Sequence, residues 1–178
     1  MNAHVTPNSP GPVSLTIVPP FARFSLRIAA ASVEAASKAF GLELPVKIGQ
    51  GQAKDGRAAW CLGPDEWLLH AVETETVQIM EAFARFRPET PHSLTLISDR
   101  EITIAMEGAR AAELLSVACP IDLARIHPGM AKRTVFDSAQ VVLLRDGPDH
   151  FRLEVWRSFF PHVHELLQIA NRELASGY

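Results

Sequence analysis

The chain has 178 residues, of which 47% are hydrophobic and 21% charged, and its formal net charge is −3. This composition is that of an ordinary soluble globular protein, whose core needs neither disulfides nor a metal. The acidic balance argues against a nucleic-acid partner, because such proteins neutralise phosphates with an excess of basic residues. No apolar run approaches the roughly 20 residues that span a bilayer, so no membrane association is expected.

The N-terminus and the two cysteines bear on cellular location. Residues 1–14 are rich in proline and lack a basic start followed by an apolar stretch, which predicts a flexible tail and no signal peptide. Cys61 and Cys119 lie far apart and have no metal-ligand or redox spacing. Two isolated thiols in a chain without a secretion signal indicate a cytoplasmic protein.

Hydrophobic periodicity and turn residues divide the first half of the chain into short elements. The sequence predicts strands at Leu15–Val18, Phe21–Ile28, Ala58–Leu62 and Trp67–Val72, an exposed loop at Ile48–Gly56, and helices at Ser32–Phe40 and Glu73–Phe86. Gly41 ends the first helix, and Gly63-Pro64-Asp65-Glu66 forms a tight turn between the last two strands. In the second helix the inward positions are predicted to be Val77, Met80, Phe83 and Ala84.

After a break at Pro88–Pro91 a similar order of elements begins again. The predicted elements are a hairpin of His92–Ile97 and Glu101–Met106, a helix within Gly108–Ala118, strands at Thr134–Phe136, Ala139–Leu144 and Phe151–Trp156, and a helix at about Pro161–Leu174. Hairpins joined by single helices imply mainly antiparallel sheets with helices packed on one face, which is an α+β architecture. The sequence thus predicts two small subdomains, residues 15–88 and 89–178.

An enzyme should bring reactive groups together, and the sequence offers few. Gly49-Gln50-Gly51 lacks the third glycine of a dinucleotide fingerprint and the Gly-Lys-Ser/Thr ending of a phosphate loop. His162 and Glu165 share a helix face, but two ligands do not define a metal site. Cys119 has no neighbouring histidine or basic cluster to activate it. No catalytic, cofactor-binding or metal-ligating residue is therefore predicted.

Large aromatic side chains are the candidates for contact with another protein. Trp60, Trp67 and Trp156 fall in predicted strands, where a place in the core is the default interpretation. Phe159 and Phe160 follow the last strand, at its junction with the C-terminal helix, and aromatic residues are common anchors of protein interfaces. Phe159 and Phe160 are therefore the predicted interface residues.

Several segments, in this order along the chain, resemble the gamma subunits of heterotetrameric, flavin-containing sarcosine oxidases. They are Leu62-Gly63-Pro64-Asp65-Glu66-Trp67-Leu68-Leu69, Ser98-Asp99-Arg100, Cys119-Pro120-Ile121-Asp122-Leu123, Arg133-Thr134 and Val155-Trp156-Arg157-Ser158-Phe159. The first is the most specific. Asp99 stands where many members of that family have a histidine.

The resemblance implies the fold of the folate-dependent aminomethyltransferases and a subunit without activity of its own. It implies an alpha-beta-gamma-delta complex that oxidises sarcosine to glycine, in which this chain packs against the alpha subunit. FAD, FMN, NAD and tetrahydrofolate are then expected on the partner subunits and none of them on this chain. Related complexes act on other N-methyl compounds, so sarcosine itself is an expectation of the resemblance.

The related fold leaves a second interpretation open, an independent folate-binding or one-carbon-transfer protein. Such a protein needs a carboxylate in a pocket to hold the pterin ring, and Asp99 and Asp122 are the candidates. A fold by itself is only an analogy for function.

Overall fold

The computed structural model of the protein describes residues 11–177. Within that range the chain forms ten strands and four α-helices. The strands are β1 Ser14–Ile17, β2 Ala22–Ile28, β3 Gly51–Lys54, β4 Arg57–Gly63, β5 Glu66–Ala71, β6 His92–Leu96, β7 Glu101–Glu107, β8 Ala131–Phe136, β9 Ala139–Arg145 and β10 His150–Trp156. The helices are α1 Val33–Phe40, α2 Thr76–Phe86, α3 Ala111–Ser116 and α4 Phe160–Ala175.

Two compact units divide these elements. The described residues up to Pro19, with Asp99–Pro128 and those from Lys132 onward, form one unit, and Pro20–Ser98 with Gly129–Ala131 form the other. We call them the β7 unit and the β2 unit, each after one of the inner strands of its sheet. Each contains one five-stranded sheet and two α-helices, so the predicted α+β class is confirmed.

The β2 unit has a sheet in the order β3-β4-β5-β2-β6. Its neighbouring strands are antiparallel throughout. Alternate residues of β2, such as Phe24 and Leu26, share a buried core with Phe40 of α1 and Phe83 of α2. The residues between them in the strand lie on the opposite face, because successive side chains of a strand alternate. The two helices therefore cover one face of the sheet.

The β7 unit has a sheet in the order β1-β7-β10-β9-β8. Alternate residues of its central strands, among them Ile104 and Leu153, join Leu114 of α3 and Val163 and Leu167 of α4 in a second core. Helix α4 begins with a proline in its first turn, where the missing amide proton costs no hydrogen bond. As in the other unit, the helices pack on one face of the sheet.

The structure places two strands on the other side of the expected boundary near residue 88. Strand β1 pairs with β7, Ser14 opposite Glu107, and strand β6 pairs with β2, Phe24 opposite Leu96. The predicted hairpin of β6 and β7 does not form, because the two strands belong to different sheets. Strand pairing joins residues far apart in sequence, and the local pattern carries no information about it.

The predicted loop at Ile48–Gly56 is wrong in part, because β3 occupies Gly51–Lys54. Strand β3 pairs with β4 in a hairpin that sets Lys54 opposite Arg57. The two turn residues, Asp55 and Gly56, both have positive φ, 51° and 80°. An Asp-Gly pair is a strong signal for a two-residue hairpin turn, because both residues tolerate the left-handed conformation. The sequence therefore contained the signal for this hairpin.

The N-terminal segment was expected to be a flexible tail over residues 1–14, and residues 1–10 lie outside the described residues. The remainder is ordered by side-chain contacts. Val13 is fully buried, and Asn171 of α4 accepts from its amide at 3.1 Å and donates to its carbonyl at 2.8 Å. The expectation is therefore wrong for residues 13 and 14, because Asn171 satisfies both main-chain groups of the segment that leads into β1.

Candidate functional site

The Gly63–Trp67 segment, the most specific of the sequence motifs, shapes a hairpin in the β2 unit. Arg27 of β2 forms ion pairs with Asp65 at 2.9 Å and with Glu66 at 3.0 Å. The indole of Trp67 is 2% exposed and donates to the Pro45 carbonyl at 2.7 Å. The acidic and aromatic side chains of the motif thus form ion pairs and a hydrogen bond within the β2 unit. These contacts give the motif a structural role in shaping the hairpin.

Both cysteines are buried, and neither is set up as a nucleophile. Cys61 donates to the Gly63 carbonyl at 3.1 Å, and burial raises the pKa of its thiol. Burial also raises the pKa of the Cys119 thiol, although a hydrogen bond with Thr134 acts in the opposite direction. Because the thiolate is the reactive species, burial of both thiols disfavours a nucleophilic role for either cysteine.

Among the acidic residues and histidines considered from the sequence, Asp122 and His162 make side-chain contacts, and Asp99 makes a main-chain contact. Asp122 accepts from the Ala124 amide at 3.0 Å and so caps a short helical turn, while the main-chain carbonyl of Asp99 accepts from Arg157 at 2.8 Å. His162 contacts Asp137 at 2.9 Å. Among residues 11–177 no three His, Cys, Asp or Glu side chains come together in the manner of metal ligands. None of the helices in that same stretch is long and apolar enough to cross a membrane.

The two phenylalanines predicted as interface residues lie in different surroundings. Phe160 is partly buried against the core of the β7 unit, and its ring stacks on His164 with centroids 5.1 Å apart. Burial lowers the pKa of His164. Phe159 is 40% exposed and stands in the turn before α4. Phe159 is thus the member of the pair that offers its ring to the surface.

A second exposed aromatic side chain lies beside Phe159. Trp156, the last residue of β10, is also 40% exposed, and the two ring centroids are 6.4 Å apart with planes inclined by 50°. The guanidinium of Arg100 lies 5.3 Å from the Trp156 ring centroid, within the range of a cation–π contact. We call Arg100, Trp156, Arg157 and Phe159 the aromatic–arginine patch.

Main-chain contacts hold this patch in place. The Arg157 amide donates to the Arg100 carbonyl at 2.8 Å, which extends the pairing of β10 with β7 by one step. The Phe159 amide then donates to the Trp156 carbonyl at 2.8 Å and closes the turn that leads into α4. The aromatic rings are therefore presented from a hydrogen-bonded strand end, which is a rigid support.

Sequence reasoning missed Trp156 by assigning it, with the other tryptophans, to the core. Trp60 and Trp67 are buried, as expected. Trp156 follows the buried Val155, and strand alternation sends its side chain to the opposite face. Phe151, Leu153 and Val155 alternate with Arg152 and Glu154, and this two-residue period was the signal that would have placed Trp156 on the polar face of its strand.

Comparisons with known proteins agree on one family. Residues 27–173 match the family described as sarcosine oxidase, gamma subunit family. The chain is 31% identical over 140 residues to the sarcosine oxidase subunit gamma of Corynebacterium sp. strain U-96, an alignment that spans 75% of this chain and 66% of that relative. It therefore spans slightly less than two thirds of the curated relative's length.

Two solved structures share the fold. A chain of the heterotetrameric sarcosine oxidase from Corynebacterium sp. U-96, in complex with pyrrole 2-carboxylate, matches with a TM-score of 0.82 and 28% identity, covering 92% of this chain and 85% of that one. The glycine cleavage system aminomethyltransferase T from Bartonella henselae matches with a TM-score of 0.68 and 16% identity, covering 89% of this chain and 46% of that one.

The second match confirms the expected aminomethyltransferase-like fold, and at that identity it shows the fold alone. The family match covers most of the chain and includes the hairpin motif and the Cys119–Leu123 segment on which the resemblance was based. The chain belongs to the sarcosine oxidase gamma subunit family.

Proposed function

We propose that the chain is the non-catalytic gamma subunit of a heterotetrameric complex of the sarcosine oxidase kind. The complex would carry out the oxidative demethylation of sarcosine to glycine. Family membership supports this proposal, together with the fold shared with a chain of a heterotetrameric sarcosine oxidase. The local contacts also support it, because the thiols are buried and the motif carboxylates are engaged in ion pairs.

In this proposal the chain packs on the alpha subunit, with the beta and delta subunits in the same assembly, in the cytoplasm. FAD, FMN, NAD and tetrahydrofolate belong to the partner subunits. The role of this chain is then structural, since it supplies a surface on which a larger subunit is held in its working arrangement.

The observation that carries the proposal is the aromatic–arginine patch. Two large aromatic rings are each 40% exposed and lie side by side on a rigid strand end. Tryptophan and arginine are enriched among the residues that carry most of the binding energy at protein interfaces. Phe159 is proposed to contact the partner directly, and Phe160, which is partly buried, to contribute less.

Co-expression with the cognate larger subunits tests this function. With an affinity tag on this chain, purification at low and at moderate salt is expected to recover the other three subunits together with flavin absorbance. Recovery of this chain alone under both conditions would contradict the proposal. Titration of the purified chain with tetrahydrofolate separates the second interpretation, since binding at sub-millimolar ligand would favour an independent folate-binding protein.

A further inference from the structure

We infer that Arg157 is the specificity-determining residue of the aromatic–arginine patch and that it binds a carboxylate on the partner subunit. The occupant of the patch is then a segment in which an Asp or Glu stands next to a large apolar side chain. This inference rests on the proposed function and names the chemistry of the contact that the function requires.

Arg157 differs from three other arginines of its unit in how its charge is used. Arg152 forms a two-point ion pair with Asp146, Arg110 forms one with Glu113, and Arg100 bonds Glu101 at 2.8 Å. Arg157 is exposed, and its side chain donates through Nε to the Asp99 carbonyl at 2.8 Å. Over residues 11–177 no carboxylate forms an ion pair with it, so its positive charge is not compensated by the described part of the chain.

The geometry of the guanidinium suits a carboxylate partner. Its Nε atom donates to the Asp99 carbonyl, and this hydrogen bond fixes the plane of the guanidinium group. The two terminal nitrogens can then donate in parallel to another group. Two parallel N–H donors match the two oxygens of a carboxylate, and such charge-assisted pairs are strong and directional. The tethered side chain also loses little conformational freedom on binding, because one of its hydrogen bonds already exists.

The aromatic rings make the same contact partly apolar. Trp156 and Phe159 stand on either side of Arg157 in sequence and are each 40% exposed. Arg100 is occupied by Glu101 and lies over the Trp156 ring, so it supports the ring and leaves the free charge to Arg157. Apolar groups that cover these rings would exclude water from the arginine, which strengthens its attraction to a carboxylate. A basic segment would meet an uncompensated like charge and be rejected.

Affinity measurements on the complex test this inference. The probe is the assembly of the other three cognate subunits, purified without this chain, and the readout is the Kd of each variant by calorimetry. We expect Arg157→Gln to weaken binding by about 30-fold or more, because a buried charge on the partner is left unpaired. Arg157→Lys keeps the charge without the fork, so a smaller loss of roughly tenfold is expected.

Arg172→Gln is the matched control, because Arg172 is an exposed arginine on helix α4 of the same unit. This substitution removes the same charge, but Arg172 is not part of the aromatic–arginine patch. The Kd of Arg172→Gln should therefore stay within about twofold of the wild-type value. Thermal unfolding of each variant checks that the fold is retained. Phe159→Ala supplies a second variant, for which a loss of about tenfold or more is expected from the apolar part of the contact.

The outcomes separate the inference from the proposed function. If the wild-type chain does not bind the three-subunit assembly, the proposed function fails. If the wild type binds and Arg157→Gln behaves like Arg172→Gln, whether both bind normally or both are weakened, the inference fails and the function stands. If the wild-type chain is a dimer that Arg157→Gln makes monomeric, the occupant is a second copy of this chain and the inference is overturned.

Discussion

One charged side chain, that of Arg57, joins several elements of the β2 unit. Arg57 of β4 forms a two-point ion pair with Glu75, at 3.1 and 2.8 Å, and also donates to the Phe40 carbonyl at the end of α1. Gly41 follows with φ of 72°, and a Cβ there would meet the same Arg57 side chain. The predicted stop at Gly41 is confirmed, for the predicted reason of a left-handed C-terminal cap, and the approach of Arg57 adds a second.

Replacing Glu75 by Gln should make stability depend less on pH. The hydrogen bond from Arg57 lowers the pKa of Glu75 in the folded protein, so the ionised form is favoured by folding. The stabilisation is therefore present above the unfolded pKa of about 4.3 and is lost as pH falls through the lower folded value. At pH 7 the free energy of unfolding of the wild type should exceed that of Glu75→Gln by about 1 kcal/mol. The difference is small because the Arg57–Glu75 pair is partly exposed to solvent.

Urea unfolding of both proteins at several pH values measures this difference. It should shrink below pH 4 and vanish in strong acid. A difference that stays constant down to pH 2 would mean that the shape of the side chain, and not its charge, stabilises the fold. Glu89→Gln is a suitable control, because Glu89 is exposed after the end of α2.

Helix α2 was predicted correctly as an element, but its buried face was predicted incorrectly. Val77, Met80, Phe83 and Ala84 were expected to point inward, whereas Ile79 and Phe83 are the buried positions. Val77 is 67% exposed and Met80 is 44% exposed. The helix has apolar residues on more than one side, so spacing alone allowed two stripes. Packing against the sheet and α1 decided between them.

Two alanine substitutions in this helix measure the difference between its faces. Phe83→Ala should lower the free energy of unfolding by about 3–5 kcal/mol, because it removes a ring from a packed core. Val77→Ala should change it by no more than about 0.5 kcal/mol, because its side chain contacts solvent. Denaturant unfolding monitored by far-UV circular dichroism gives both values. Equal losses in the two variants would contradict the assigned face.

At the scale of the whole molecule, β1 and β6 each belong to a different unit from the strand that follows them in sequence. Strand β6 completes the β2 unit by pairing over five positions with β2, and the Ile97 amide adds a bond to the Arg23 carbonyl at 2.8 Å. Strand β1 precedes this unit in sequence and pairs with β7 of the other. A division of the chain at residue 88 would therefore cut each sheet away from one of its strands.

Fragments of the chain test this division. A fragment of residues 20–98 contains all five strands of the β2 unit, whereas a fragment of residues 15–88 lacks β6 and carries β1 without its partner. The first should unfold cooperatively on heating, and the second should show a weaker and broader transition, because the loss of β6 leaves one side of β2 unpaired. Identical unfolding curves would contradict the assignment of β6 to this unit.

The sequence by itself determined the family, through the Gly63–Trp67 and Cys119–Leu123 segments, and with it the α+β class and the order of most elements. It did so because periodicity, caps and turn residues act over a few neighbouring positions. Only the tertiary structure decided that β1 and β6 change sheets, which face of α2 is buried, and that Trp156 joins Phe159 at the surface beside Arg157. These depend on pairing and packing between residues far apart in the chain, which no local pattern records.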